Sequence, residues 1–363
     1  MSNSYPPDTI NGNCSSSGTI NTQDADSSLE STLDDDLTNH PFDALTPSFV
    51  LNAVDHHGYV SDGRILALNS YENRVYQVGI EDDEPVIAKF YRPNRWSDAQ
   101  ILEEHQLCAE MVEQELPVVP PLVKNDATLF EYGDFRLALY ARKGGHAPEL
   151  DNLDNLFIMG RFLGRMHSVG AVRRFEHRPA ITCKHYGHES ADLIRHKFMP
   201  DHIRASYDAV VDELLKIIDV IYIDSEDNEY IRVHGDCHVG NILWRDDAPH
   251  FIDFDDSRMA PAIQDVWMLM SGDRARQTAQ LNEIIEGYKE FADFPLQQIK
   301  YIESLRTLRI MYFSAWLAKR WDDPAFPRAF PWFNTTQYWE QHILDLREQL
   351  GELNESPLQI FGQ

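Results

Sequence analysis

Five residues in a short reach of the chain could carry chemistry. His234, Asp236, His238 and Asn241 fall within the run VHGDCHVGNILW, and Asp253 follows in FIDFDD. Each run is an apolar, strand-like stretch that stops at acidic or amide residues. Carboxylates and an amide at this spacing can hold a metal, or they can simply end two strands. Magnesium takes oxygen ligands and keeps several waters, so one carboxylate with one amide or second carboxylate is enough protein for it. Asp236 and Asn241 are five positions apart, which lets the acid face a substrate while the amide faces a metal. Asp253 opens the next polar loop, after a strand that can return it beside Asn241. Lys89 stands alone in the apolar run PVIAKFY, where an unpaired ammonium is costly; Glu103 or Glu104 can pair with it. A metal, a cation for phosphate and an acid that orients a hydroxyl are parts that phosphoryl transfer requires.

The elements that must position these residues are legible as patterns. ILALNSYENRVYQVGI (65–80) alternates around the polar turn NSYEN, and PVIAKFY (85–91) is a compact strand. SDAQILEEHQLCAEMVEQEL (97–116) has helical spacing, with Ser97 or Asp98 as N-cap. PVVPPLV is an extended connector, and ATLFEY with FRLALYA reads as a hairpin around Gly133 and Asp134. After RKGGHAPEL (142–150) the spacing is mainly helical to the end, and no internal repeat is present. The pattern predicts an α+β chain: a strand-rich first lobe over 41–143, a linker near Arg142–Gly145, a helical second lobe over 144–350 and a tail over 351–363. The polar cluster lies on short strands inside the helical lobe, facing a cleft between lobes, a favoured place for a ligand.

Residues 1–40 are rich in Ser, Asn, Thr and Asp, and Arg64 is the first Lys or Arg of the chain. Such a segment buries too little apolar surface to offset its ordering entropy, so a disordered acidic tail is expected. The 363 residues carry a formal charge of -27. That excess argues against a broad hold on nucleic acid, which needs clustered Lys and Arg, and against adsorption to anionic lipid. A nucleotide needs only a local cationic pocket and is not excluded. Cys14, Cys108, Cys183 and Cys237 match neither a zinc ribbon nor a disulfide framework. Reduced thiols, the absence of a signal-peptide pattern and the absence of a long apolar run point to a cytoplasmic protein.

The same runs resemble the protein-kinase-like superfamily, in its aminoglycoside phosphotransferase and choline kinase branch. HGDCHVGN is similar to that branch's catalytic loop, FIDFDD to its metal loop and VIAKF to its lysine-bearing strand. Longer runs, LNSYENRVYQV, AKFYRPNRWS, ILEEHQ, HGDCHVGNILWRDD and AIQDVWMLMSGD, resemble the RdoA-type bacterial serine/threonine kinases of stress response, over about residues 41–350. The resemblance implies a two-lobed kinase fold and an ATP- and Mg2+-dependent phosphotransferase, with protein Ser/Thr as acceptor, the chain itself included, and a monomer. It implies that Asp236 orients or deprotonates the acceptor hydroxyl and that Asn241 and Asp253 bind magnesium. Lys89, held by Glu104, would contact the α- and β-phosphates. Ser70, Tyr71, Asn73 and Arg74 would lie in the loop over the phosphates, which here lacks the usual glycines. Leu139 and Ala141 would line the adenine site through backbone groups. The acidic tail is an addition to the family pattern; its Ser15–Ser17, Ser27 and Ser28 are within reach of an active site if the segment is flexible.

Duller roles stand beside these. His234 is expected to brace its loop, and Asp265 in IQDVW to cap a helix or accept from loop amides. His167 reads as a packed helix residue, and Asp255 and Asp256 as a solvated acidic end or as support for the metal loop. A metal hydrolase is one rival, since HGDCH and the DHH at 55–57 echo phosphoesterase motifs, but their partner elements are missing. A zinc site from His234, Cys237 and His238 crowds one loop without a second ligand pair. Within the kinase reading, the alternatives are a small-molecule kinase and a nucleotide-binding pseudokinase.

Overall fold

The structure, a computed structural model, describes residues 41–222 and 230–361. The expected acidic tail, with Cys14 and its serines, lies outside the described residues. The first lobe begins with α1 (Pro47–His56), capped by Thr46 and started by Pro47, where the missing N–H costs nothing. Then come β1 (Ser61–Leu68), β2 (Arg74–Ile80) and β3 (Asp83–Phe90), and α2 (Asp98–Glu113), followed by β4 (Phe130–Tyr132) and β5 (Phe135–Ala141). The strands form one antiparallel sheet in the order β1-β2-β3-β5-β4. Lys89 therefore sits on the central strand, between Val75 and Ala138. Ser97 is the N-cap of α2, in a full capping box with Gln100. Val50, Ala53 and Val54 of α1 pack with Val78, Ala88, Phe90, Leu137 and Leu139 into a core of this lobe's own.

The second lobe holds α3 (Leu153–Ala171), α4 (Glu189–Lys197), α5 (Asp201–Tyr222), β6 (Tyr230–Val233), β7 (Ile242–Arg245), β8 (Ala248–Phe251) and β9 (Arg258–Pro261). It continues with α6 (Ile263–Trp267), α7 (Arg274–Lys289), α8 (Ile302–Lys319), α9 (Ala325–Ala329) and α10 (Thr336–Leu353). Helices α3 and α7 touch backbone to backbone: a Cβ on Gly160 would stand 2.0 Å from the Ile284 carbonyl. Two small antiparallel ribbons, β6–β9 and β7–β8, carry the polar runs into this helical body. The β7–β8 turn uses Asp246 and Asp247, both left-handed, in the manner of a tight two-residue hairpin. The connector Pro117–Val119 runs along β8, with Phe251 N–H donating to Pro117 O and Val119 N–H to Phe251 O. Beyond β5, residues 142–145 have no regular structure, and His146 then exchanges backbone hydrogen bonds with Trp244. A strand-rich region thus sits over a helical one, with the polar ribbons facing the sheet.

Candidate active site

The first half of the site is the turn after β6. Gly235 has φ +84°, and a Cβ there would come 2.2 Å from the Asp256 carbonyl. Only glycine satisfies both the left-handed backbone and that close approach. Asp265, in the first turn of α6, accepts from the N–H groups of His234 (2.8 Å) and Gly235 (2.9 Å). It also meets His167 Nε2 at 3.1 Å, and His167 in turn meets the Tyr288 hydroxyl. The His234 ring braces the other side: Nε2 donates to Ile252 O at 2.9 Å while Nδ1 accepts from the Asp236 N–H. Asp265 and His234 thus serve the loop's backbone, as expected of them. A Gly235→Ala substitution is expected to cost about 1–3 kcal/mol of stability, through the strained backbone, and to lower turnover further by moving Asp236. A melting curve and a rate measured together check this; an unchanged melting temperature would contradict the packing.

Asp236 is held from three directions. Arg309 Nη2 lies 2.7 Å from its Oδ1, and His238 Nε2 and Asn241 Nδ2 each lie 3.4 Å from Oδ2. Burial alone would raise its pKa, but the Arg309 guanidinium and then His238 outweigh burial and hold it well below the usual carboxylate range. Asn241 donates its amide to Asp236 O at 2.9 Å, which points its Oδ1 the other way. Ile252 N–H donates to Asn241 O at 3.0 Å, so the β7–β8 register sets Asn241 one residue away from Asp253.

The second half gathers around Lys89, which is 6% exposed. Its Nζ lies 2.9 Å from Asp253, 3.3 Å from Asp255 and 3.9 Å from Glu104. Burial opposes its charge, yet these acids, Asp253 first, carry its pKa well above the usual lysine value. Asp253 is left-handed (φ 59°) and its side chain is 52% exposed, an unusual backbone for a non-glycine residue and one that aims a carboxylate into the cleft. Asp255 is buried between Lys89, Arg95 and the Asn73 amide, so it supports the loop rather than forming a solvated end. Glu104 lies 2.9 Å from Arg178, which also donates to Gln100 O, Asp255 O and Ser257 O and so ties α2 to the metal-type loop. Glu103 faces elsewhere and caps the N–H groups of Glu176, His177 and Arg178.

Burial pushes the Glu104 carboxyl up to about 7, against the pull of Lys89 and Arg178 and with help from Asp255 and Asp253. A carboxyl raised on folding stabilises fully below its unfolded value of 4.5 and loses that contribution as pH rises through about 7. The melting-temperature gap between wild type and Glu104→Gln is therefore expected to move in the variant's favour between pH 4.5 and about 7, the window spanned by the two pKa values. A gap that stays constant across the window would rule this out.

The loop between β1 and β2 is held by protein partners. The Asn73 amide donates to Asp255 at 3.2 Å and its Oδ1 accepts from the Arg92 N–H. Arg74 donates to Tyr71 O and Asn73 O, reaches Asp323 at 3.4 Å and stacks over Phe42. Tyr71 packs on Phe330, and Ser70 is half-buried at the start of the loop. On β5, the Leu139 side chain is in the first lobe's core and its carbonyl accepts from Leu122 N–H at 2.6 Å, while Ala141 is half-buried at the strand's end.

Three basic residues of this site were not singled out in the sequence: Arg309 on Asp236, Arg178 on Glu104 and Arg95 on Asp255 and Asp256. Arg309 has a sequence signal, a guanidinium in the apolar helical run LRIMYFSAWLA, and Arg178 has none. The rival motifs fall away on geometry. Asp55 accepts from Ser61 N–H while His56 and His57 pack on Tyr132 and Phe130, all outside the cluster around Asp236. Cys237 is fully buried, and its neighbours His234 and His238 are engaged by the loop's own backbone.

Residues 64–298 match the model of the family described as "Phosphotransferase enzyme family". This chain belongs to that family. Among curated members it is similar to "Stress response kinase A" of Escherichia coli (strain K12), with 44% identity over 320 residues that cover 88% of this chain and 97% of that one. It is also similar to "Serine/threonine protein kinase RdoA" of Salmonella typhimurium (strain LT2), 43% identical with the same coverage. In solved structures, amicoumacin kinase hAmiN has a TM-score of 0.64 at 18% identity, covering 83% of this chain and 91% of that one. A microcompartment-associated aminopropanol kinase has a TM-score of 0.64 at 16% identity, covering 86% and 99%. At those identities the likeness is one of fold, and it is the fold described above: sheet region first, helical region second. This family member is a kinase, and the Escherichia coli relative is named for stress response.

Proposed function

We propose that this phosphotransferase moves the γ-phosphoryl of ATP, with Mg2+, to a serine or threonine hydroxyl of a protein, in the cytoplasm and as a monomer. The observation that carries the reading is the convergence of Asp236, Asn241, Asp253 and Lys89 from three segments, the turn after β6, the run after β8 and strand β3. Lys89, with its charge secured by three acids, meets phosphate charge. Asp236, kept ionised by Arg309, orients the acceptor hydroxyl and accepts its proton as the new bond forms. Asn241 Oδ1 and the exposed Asp253 carboxylate are oxygen donors of the kind Mg2+ prefers, so the residues fit that ion. When bound, it would neutralise charge on the transferring group. The protein acceptor is supported by the name of the Salmonella relative, "Serine/threonine protein kinase RdoA", at 43% identity. No described helix is long and apolar enough to cross a membrane.

The test is incubation with labelled ATP and Mg2+, followed by mass spectrometry of the chain and of added proteins, for wild type, Asp236→Ala and a version starting at Pro41. Label on serine or threonine in wild type, absent from Asp236→Ala, is the expected result. Label that survives removal of residues 1–40 puts an acceptor in the folded body. No protein label together with turnover of a small amino alcohol would replace the protein acceptor with a small molecule. No nucleotide binding at millimolar ATP would end the reading altogether.

A further inference from the structure

Beside the metal-type loop, on the flank formed by the β3–α2 connection, β9 and the C-terminal part of α8, lies a cavity of about 550 Å³. Arg92, Arg95, Arg258, Lys319 and Arg320 line it together with Trp96, in a chain whose net charge is -27. Several of these cations are already neutralised. Arg92 pairs with Glu72 and Asp323, and Arg95 with Asp255, Asp256 and Glu72. Arg258 is different. It is 2% exposed, its Nε has no hydrogen-bond partner, and its Nη2 reaches Asp256 only at 3.5 Å. Its remaining contacts are ring faces, Trp96 at 5.1 Å and Tyr186 at 5.6 Å.

Two more buried donors on the same cavity are without an acceptor: Arg320 Nε and Trp96 Nε1. Guanidinium and indole N–H groups can only donate. Orphaned buried donors of this kind are rare and costly, so three on one cavity ask for one acceptor-rich ligand. At the rim, Lys319 is exposed and forms no ion pair among the described residues; burial of its stem and then Arg320 depress its ammonium, and Glu189 is the acid that acts against them. Asp322 and Asp323 also line the cavity, and Asp323 is held by Arg74 and Arg92. Nη1 and Nη2 of Arg320 are used by Trp316 O and Glu72. A carboxylate would answer either Lys319 or Arg258, whose contact with Asp256 is long and shared with Arg95, whereas a phosphate monoester dianion answers both and supplies three acceptor oxygens.

We propose that this cavity is a phosphate-binding site, separate from the Lys89 cleft, that takes a phosphate monoester or the free phosphate anion on Arg258, Lys319, Arg320 and Trp96. It is coupled to the catalytic loop by short links. Arg258 and Arg95 share Asp256, whose carbonyl lies against Gly235. Tyr312, on the cavity wall, is one helical turn beyond Arg309, the partner of Asp236. Nothing in this proposal depends on the identity of the phosphoryl acceptor, so it fails or stands separately from the kinase reading.

The experiment is calorimetric titration of the full chain with inorganic phosphate, without nucleotide and at constant ionic strength, on wild type, Lys319→Ala, Arg258→Gln and Lys89→Met. Saturable binding is expected in wild type and in Lys89→Met. Lys319→Ala should weaken it by roughly tenfold, the worth of one charge-assisted contact, and Arg258→Gln should abolish it. Lys319 is exposed, so its variant keeps the test valid if Arg258→Gln does not fold. Absence of saturable binding in wild type overturns the proposal. So does binding that Lys89→Met loses and Lys319→Ala keeps, because the phosphate then sits in the cleft. A second titration separates the sources. A phosphoserine peptide that binds more tightly than inorganic phosphate, while its unphosphorylated form does not bind, identifies a protein-borne phosphate. Equal affinity for peptide and inorganic phosphate identifies the free anion.

Discussion

Replacing Asp236 with alanine is expected to lower turnover by about 10²–10⁴-fold, the range that general-base or orienting groups contribute, while leaving nucleotide affinity close to wild type. Asp236 touches Arg309, His238 and the Asn241 amide, whereas the nucleotide-side cluster around Lys89 makes no contact with it. The loss should therefore fall on kcat rather than on nucleotide binding. Its low pKa adds a second readout. Because Arg309 keeps Asp236 ionised far below neutrality, the acid limb of the pH–rate profile should not report Asp236 in wild type. Removing the guanidinium with Arg309→Leu leaves burial to act on the carboxyl, so that limb should move toward neutral pH. Wild-type turnover in Asp236→Ala, or an unmoved acid limb in Arg309→Leu, would remove Asp236 from the catalytic role.

What the sequence made legible here follows from what is local. The strand Pro85–Tyr91, the Ser97 cap and the turn at Gly133–Asp134 each depend on neighbours within a few residues, and each lies where its pattern indicated. The polar turn after β6 was legible for the same reason, since His234, Asp236 and Asn241 brace one another across single-digit spacings. Helix α1 was passed over because its run PSFVLNAVDH offers a narrow apolar face, Val50, Ala53 and Val54, that makes sense only against the sheet. Arg178 and Arg309 act across 74 and 73 positions, on Glu104 and Asp236 respectively, and even where an apolar run flags the guanidinium, as at Arg309, nothing local names the distant acid it meets. The partners of the loop at Ser70–Arg74 were not legible for the same reason: Asp255 and Asp323, which meet Asn73 and Arg74, lie far along the chain.

Lys89→Met is expected to reduce turnover by at least about 10²–10³-fold, the scale of removing one preorganised charge from a transition state, with a much smaller effect on folding. The folding argument turns on what each acid keeps. Asp255 retains Arg95, Glu104 retains Arg178, and Asp253 is half exposed to water. None is left as an isolated buried charge, so the destabilisation should fall below the roughly 3–5 kcal/mol seen when a buried pair loses one member outright. The partner of Lys89 is decided by double-mutant cycles. Glu104 lies 3.9 Å from the ammonium and Asp255 3.3 Å, whereas Glu103 spends its carboxylate on the backbone of residues 176–178. Lys89→Met should thus be non-additive with Glu104→Gln and with Asp255→Asn, and additive with Glu103→Gln. Additivity with Glu104→Gln, in turnover and in melting temperature alike, would show that α2 does not hold the lysine through that acid, and would leave Asp253 and Asp255 as what keeps its charge in the cleft.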